Sequence, residues 1–364
     1  VPRGVQVFGW LLLALVLAGC TTTRQSHRPD EVIPIPPEPP QEIIPQPAVT
    51  SPPLPSVVVT NKPVSARPRY VVPSGMTWVP LDSWLRSQEA PSLRLAAKTP
   101  PTFTIAAASG RIQIRHSDAH LRWNGETVML GFAPRMERGV LLLHRLDVEK
   151  VIIPLLMPLK LPPAGERSIV IDPGHGGRDS GTVSVVNRRN EKDYTLDWAR
   201  RLAPLLKQQG WNVHLTRTND AEVAVSNRVV FAGQRKADLF LSLHFNSAAP
   251  VRERSGCQSF LLTPTGMPSS FTREFEDDPR LAFPNNSWDT QNLQYAARLH
   301  LAILGVAGRD AGVEHARFMG VLRGQNRPAV LLEGGYLSNP AEASRIADPA
   351  YRQKLAEAVA RVLK

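Results

Sequence analysis

Ser168-Ile169-Val170-Ile171-Asp172-Pro173-Gly174-His175-Gly176-Gly177 is the stretch on which the fold turns. Ile169, Val170 and Ile171 run on without polar alternation, as a strand buried on both faces does, and then break into a glycine-rich loop. The same grammar recurs twice: Leu239-Phe240-Leu241-Ser242-Leu243 leads into His244, and Ala329-Val330-Leu331-Leu332 leads into Glu333. Helical patterns fill the intervals. Tyr194 to Gln209 sets Leu196, Ala199, Leu202, Leu205 and Leu206 on one face and stops at Gly210. Trp211 to Thr216 reads as a further strand, Ser226 to Arg235 and Gln291 to Leu304 as helices, and Ala341 to Lys364 as a closing helix. Strands alternating with helices imply an α/β fold, with a mostly parallel sheet and helices on both faces.

Three of these strands end on residues that can do chemistry. In an open parallel sheet, sites form beyond the carboxyl ends of the strands, so His175, His244 and Glu333 can converge from far apart in sequence. Glu191 opens the Tyr194 helix after a polar Arg/Asn stretch, and its position can face the same edge. Two imidazoles and one carboxylate make a catalytic zinc set with a fourth position open. A metal so held polarises a carbonyl and acidifies water. A carboxylate outside the metal shell must then move a proton to the leaving amine. Each residue also has a plainer reading taken singly. His175 would be a loop histidine, Glu191 a helix-start carboxylate favoured by the macrodipole, His244 a satisfied core histidine and Glu333 the start of a turn.

The blocks taken together carry more. Val170 to Gly177, Glu191-Lys192-Asp193, Ser242-Leu243-His244-Phe245-Asn246 and Leu332-Glu333-Gly334-Gly335-Tyr336-Leu337-Ser338-Asn339 resemble, in order and spacing, the motif blocks of the zinc-dependent N-acetylmuramoyl-L-alanine amidases of type 3, across residues 167–364. The resemblance implies Zn2+ held by His175, Glu191 and His244, with Glu333 as general base. It places Asn246, and Arg228 of Ser226-Asn227-Arg228, at the substrate. The implied substrate is peptidoglycan, cut at the amide between the lactyl group of N-acetylmuramic acid and L-alanine. Where the family often has Asp-Arg-Gly, this chain reads Arg309-Asp310-Ala311-Gly312, which puts one substrate contact in doubt. The polar insertion from Met267 to Trp288 carries Glu274 and Glu276, and a carboxylate there can fill the open metal position until a protein activator lifts the loop. A plain surface loop is the alternative. Two rivals to an amidase remain: a non-catalytic wall-binding lipoprotein, and a zinc carboxypeptidase acting on the stem peptide.

Working back toward the first residue, the texture changes at Pro162-Pro163. Residues 70–163 read as a small β-rich domain, in which Phe103-Thr104-Ile105 and Ile112-Gln113-Ile114 alternate as half-buried strands do. Trp123-Asn124-Gly125-Glu126 signals a hairpin, Val151-Ile152-Ile153 a further strand, and Trp78 to Leu85 a short helix. The pattern resembles the copper amine oxidase N-terminal-like domains found beside wall hydrolases, which implies wall binding or spacing rather than copper. His116, His120 and His144 fit no standard metal spacing and read as surface or packing residues.

From Pro29 to Pro68 stand 13 prolines among Ser, Thr, Gln and Glu, so residues 21–69 read as a disordered linker that extends on the order of 100 Å as a polyproline-like tether. The apolar run from Val5 to Gly19 falls short of the roughly 20 residues that span a bilayer. Residues 1–20 have an export signal's layout, and Leu17-Ala18-Gly19-Cys20 resembles a bacterial lipobox, which implies lipidation of Cys20 and a membrane partner. A plain signal peptide or an uncleaved anchor also fits such a run. By the same resemblance, Thr21 in place of Asp favours the outer membrane, facing the periplasm, in a cell that has one. Cys257 is the one other cysteine, so no disulfide framework exists. The formal charge of +11 suits an anionic partner. Nucleic acid is excluded as that partner, because Lys and Arg are spread along the chain with no binding motif or stacking stripe.

Overall fold

The computed structural model describes residues 70–89, 94–99, 102–272 and 277–364. The leader with Cys20, the proline-rich linker, and Glu274 and Glu276 lie outside the described residues. Fourteen strands form among them: β1 Trp78–Pro80, β2 Arg94–Thr99, β3 Thr102–Ala107, β4 Gly110–Arg115, β5 His120–Trp123, β6 Glu126–Met129, β7 Arg135–Glu137, β8 Val140–His144, β9 Ser168–Pro173, β10 Asn212–Leu215, β11 Leu239–Asn246, β12 Cys257–Leu261, β13 Asp310–His315 and β14 Ala329–Tyr336. Eleven make one sheet in the order β10-β9-β11-β14-β12-β13-β6-β5-β4-β3-β2, and β1-β8-β7 make a small second sheet.

Pairing is parallel from β10 through β9 and β11 to β14, antiparallel between β14 and β12, and parallel again to β13. Alternate residues along these strands enter two separate apolar clusters. Ile169, Ile171, Leu241, Leu243, Val330 and Leu332 join one, and Val170, Phe240, Phe260, Ala329 and Leu331 join the other. That division is what helices on both faces require. Against the first face lie α2 Glu191–Gln208, α4 Asp289–Ala307 and α6 Pro349–Val362; α3 Val225–Gln234 contributes Ala232 to the second. The closing helical segment is two helices, α5 Pro340–Ala347 and α6, because Asp348 caps Ala350 N (2.8 Å) just ahead of Pro349.

The β-rich segment before residue 163 shares the large sheet. Val128 of β6 pairs with Val313 of β13, and Asp310 Oδ2 accepts from Thr127 N at 2.7 Å. The hairpin at Asn124-Gly125 forms as the sequence implies, with φ of 51° and 99° at its two turn residues. Two local expectations are corrected. Val151-Ile152-Ile153 is helical, within a continuous run of Arg145–Asp147, Val148–Ile152 and Ile153–Leu156. Val148, Val151, Ile152, Leu155 and Leu156 recur at helical spacing, and all are buried in the core. The segment Trp78 to Leu85 divides at Pro80, strand before it and helix α1 Leu81–Arg86 after it. His144 stacks on Phe132 at 3.7 Å between ring centroids, and His120 Nδ1 lies 2.6 Å from Asp118, so both serve packing and local pairing.

Candidate metal centre

β9 ends at Pro173, and the next residues turn sharply. His175, Gly176 and Gly177 all have positive φ (61°, 132° and 61°), a run in which only the imidazole-bearing residue carries a side chain. The backbone carbonyls of this turn are tied from outside. Arg217 Nε and Arg228 Nη1 both donate to Pro173 O (3.0 Å each), Arg217 Nη2 to Gly174 O (2.8 Å) and Arg228 Nη2 to His175 O (2.8 Å). Thr195 Oγ1, from the first turns of α2, also donates to Gly174 O (2.8 Å).

The turn delivers His175 to Glu191, the first residue of α2, and to His244, near the end of β11. Their ligand atoms all lie within 4.8 Å of one another. Glu191 Oε1 sits 3.1 Å from His175 Nε2 and 2.9 Å from His244 Nδ1. The carboxylate is aimed by the backbone, since Phe245 N donates to Oε1 (3.1 Å) and Thr182 N to Oε2 (3.0 Å). On the far side of the His175 ring, Nδ1 meets Asp179 Oδ1 at 2.8 Å, which leaves Nε2 to face the centre. Burial works against a charged His175, but its bonds to Glu191 and Asp179 outweigh that and raise its pKa to about 9. Burial likewise works to raise Glu191, and the two imidazoles overcome it and hold this carboxyl well below the usual range. A field that draws a proton so strongly between two nitrogens and one oxygen also draws a cation. The donor set, two imidazoles and one carboxylate, is one that zinc accepts.

Glu333 stands directly opposite His244 on the neighbouring parallel strand and is 7% exposed. It shares with the three ligand candidates a cleft of about 600 Å³, whose walls include Asn246 and Tyr336. Asn246 is buried there; its Nδ2 donates to Gln258 Oε1 (2.8 Å) and its Oδ1 accepts from Ser247 N (2.7 Å). Arg228 is the site residue that the structure reassigns. Its guanidinium is buried, paired with Asp172 Oδ1 at 2.5 Å, and donates from Nε to Val223 O (3.0 Å) besides its two loop carbonyls. All three nitrogens are engaged inward, so Arg228 holds the His175 turn rather than a substrate. Two residues were not singled out by the sequence: Asp179, four residues after His175, and Arg217, just past the end of β10. Asp310 belongs to another network, accepting from Thr127 N and Gly312 N and meeting His300 Nε2 at 3.0 Å.

The chain is 32% identical over 213 residues to the probable cell wall amidase LytH of Staphylococcus epidermidis, covering 58% of this chain and 62% of that protein. The matched part is therefore less than two thirds of that relative's length. The germination-specific N-acetylmuramoyl-L-alanine amidase of Bacillus subtilis is 30% identical over 216 residues, 56% of this chain and 80% of that protein. Among solved structures, the N-acetylmuramoyl-L-alanine amidase AmiC2 of Nostoc punctiforme aligns with 28% identity and a TM-score of 0.45, over 55% of this chain and 97% of that one. The family profile for N-acetylmuramoyl-L-alanine amidase matches residues 169–364, and through that domain the chain belongs to the N-acetylmuramoyl-L-alanine amidase family.

Proposed function

We propose that the chain is a zinc-dependent hydrolase that cleaves the amide between the lactyl group of N-acetylmuramic acid and the L-alanine of a peptidoglycan stem peptide. The observation that carries this reading is Glu333 beside His244, at the wall of the cleft where His175, Glu191 and His244 meet. His175, Glu191 and His244 would hold the zinc ion. When bound, zinc supplies Lewis acidity toward the amide carbonyl and a nucleophilic water near neutral pH. Asp179 keeps the proton of His175 on Nδ1, and the backbone N–H groups of Thr182 and Phe245 keep Glu191 aimed. Glu333 takes a proton from water as the water oxygen bonds to the carbonyl carbon. It returns that proton to the alanine nitrogen as the C–N bond breaks. The products are a lactyl carboxylate on the glycan and a stem peptide with a free amino end. Membership of the amidase family supports the choice of bond. The lipobox-like Leu17-Ala18-Gly19-Cys20 supports an exported protein anchored in the cell envelope through Cys20.

A digest of purified wall followed by mass analysis tests the reaction. Glycan bearing bare lactyl groups is the expected product, whereas shortened stem peptides would make the chain a peptidase. The same digest with Glu333→Gln should show at least about a 100-fold loss of turnover with zinc retained. Glu191→Gln should instead lose zinc. Equal zinc loss in both variants would overturn the division of roles between the two glutamates.

A further inference from the structure

The sheet face that carries His244 and Glu333 does not end at the cleft. Glu333 stands opposite Gln258, and Phe260, on the same side of β12, stands opposite Glu314. Val313 pairs with Val128 on the reverse side, which puts Thr127 on the His244 side. Thr127 stands opposite Arg122, Arg122 opposite Gln113, and Gln113 opposite Thr104. The reverse face of these strands is core: Val128, Leu121, Ile114 and Phe103 are fully buried. The His244 side is open, and Gln113, Arg115, His120 and Arg122 are exposed on it. Hollows lie along this face. Arg254, Phe271 and Tyr336 line both the catalytic cleft and a second hollow floored by Gln258 and Glu314. Beyond it, a third hollow of about 470 Å³ is lined by Gln113, Arg115, Asp118, His120, Arg122 and Thr127.

That third hollow carries two guanidiniums against one carboxylate and is held in shape. Arg122 Nη1 donates to Gly125 O (3.0 Å), which braces the guanidinium, and Asp118 braces His120. Ile114 pairs with Leu121, so Arg115 and His120 flank one gap on neighbouring strands with Arg122 beside them. Strands spaced about 4.8 Å apart put β5 roughly 19 Å from β14, so the hollow is out of reach of the bond being cut but within reach of the same polymer.

We propose that this face is a second binding surface for the wall polymer, on which Arg115 and Arg122 take the carboxylates of a stem peptide neighbouring the one in the cleft. The proposal rests on the reading of the chain as a wall amidase. Arginine forks match carboxylates in geometry and charge, and the hollow lies on the same sheet face as the cleft, so one glycan strand can reach both.

Co-sedimentation with purified sacculi tests it, using the full chain with His175→Ala so that the wall stays uncut. Adding Arg115→Glu and Arg122→Glu should weaken binding about tenfold, the scale of two partly exposed charge-assisted contacts. Arg115→Gln with Arg122→Gln should weaken it in the same direction by less. Sacculi whose carboxylates have been amidated should bind the parent as weakly as native sacculi bind the Glu variant. Equal binding of parent and Glu variant to native sacculi would overturn the surface. Equal binding of the parent to native and amidated sacculi would overturn carboxylates as its ligand. Sedimentation reads binding without cutting, so a chain that binds in this way yet releases no peptide in the digest would sink the amidase reading alone.

Discussion

Gly174→Ala isolates the contact on which the metal centre depends most. The backbone at Gly174 lies outside the left-handed region, so alanine can adopt it without strain, and the consequence is purely steric. A Cβ there would lie 2.2 Å from His244 Cε1 and 2.4 Å from Nε2. Carbon atoms sit no closer than about 3.5 Å at best packing, so the imidazole must retreat by about 1.3 Å. It cannot do so without leaving Glu191 Oε1, its partner at 2.9 Å. Misplacement by about 1 Å costs on the order of 100-fold in rate, and disturbing a ligand's support costs about 10- to 100-fold in metal affinity. The expected result is zinc affinity down at least about tenfold and wall release down about 100-fold, read by competition with a chromophoric chelator and by the mass-analysed digest. Gly305→Ala is the matched control. It lies in α4 with nothing within 4 Å of the added Cβ, and should stabilise the fold by about 0.5–1 kcal/mol while leaving zinc affinity alone. Wild-type zinc affinity in a folded Gly174→Ala chain would refute the placement of His244 as a ligand.

Three further outcomes are expected. Arg228→Ala leaves Asp172 buried without its cation, and should cost about 3–5 kcal/mol in urea denaturation; a loss below about 1 kcal/mol would mean the pair is not holding the turn. Asp310 is a pH sensor for the seam between β6 and β13. Burial would raise its pKa, but its bonds to His300 and Thr127 outweigh that and lower it to about 2 in the folded chain. A carboxyl depressed on folding stabilises above the unfolded pKa of about 3.9, and the contribution is lost as pH falls toward about 2. Asp310→Asn should therefore flatten the fall in melting temperature across that window, and an unchanged slope would count against the pair. Cys20→Ser should remove the mature protein from the membrane fraction of expressing cells, and continued membrane association would refute lipidation at that residue.

The elements legible in the sequence were those whose own side chains state their burial. β9, β11 and β14 are apolar on both faces, and each leads to its chemical residue, so both the sheet and the convergence of His175, His244 and Glu333 could be read directly. β12 and β13 could not. Cys257-Gln258-Ser259-Phe260-Leu261 and Asp310-Ala311-Gly312-Val313-Glu314-His315 are polar in pattern because their side chains are satisfied by distant partners, Gln258 by Asn246, Ser259 by His300 and Asp310 by Thr127 N. Tertiary pairing of that kind leaves no local period. The junction of the β-rich segment with the amidase sheet was hidden for the same reason, since it rests on Val128 meeting Val313 and on one aspartate meeting one amide. Val151-Ile152-Ile153 misled because three β-branched residues outweigh period over so short a window. Widening the window to Val148 and Leu156 recovers the helix.

The arginines show what a site needs beyond its ligands. His175 sits at φ 61°, a conformation that costs a residue with a side chain about 1–3 kcal/mol, and it must stay there with or without a substrate. The turn's own hydrogen bonds are few: Gly174 N to Leu243 O, and the exchange between Gly176 and Asp179. Arg217 and Arg228 add four charge-assisted bonds to the carbonyls of Pro173, Gly174 and His175, each worth about 1.5–3 kcal/mol, which exceeds the strain even if half that value is lost to desolvation. Both guanidiniums come from elements after α2, more than 40 residues from the turn they hold. Their positive charge also lies against the turn that carries His175, and Asp172 balances that of Arg228 there. Replacing Asp172 by Asn would keep Oδ1 as acceptor for Arg228 and Thr216, turn the Oδ2 acceptor facing Ser242 into a donor, and remove that balance. Zinc affinity should then fall although every ligand remains, and unchanged affinity would show that the buried pair acts on geometry alone.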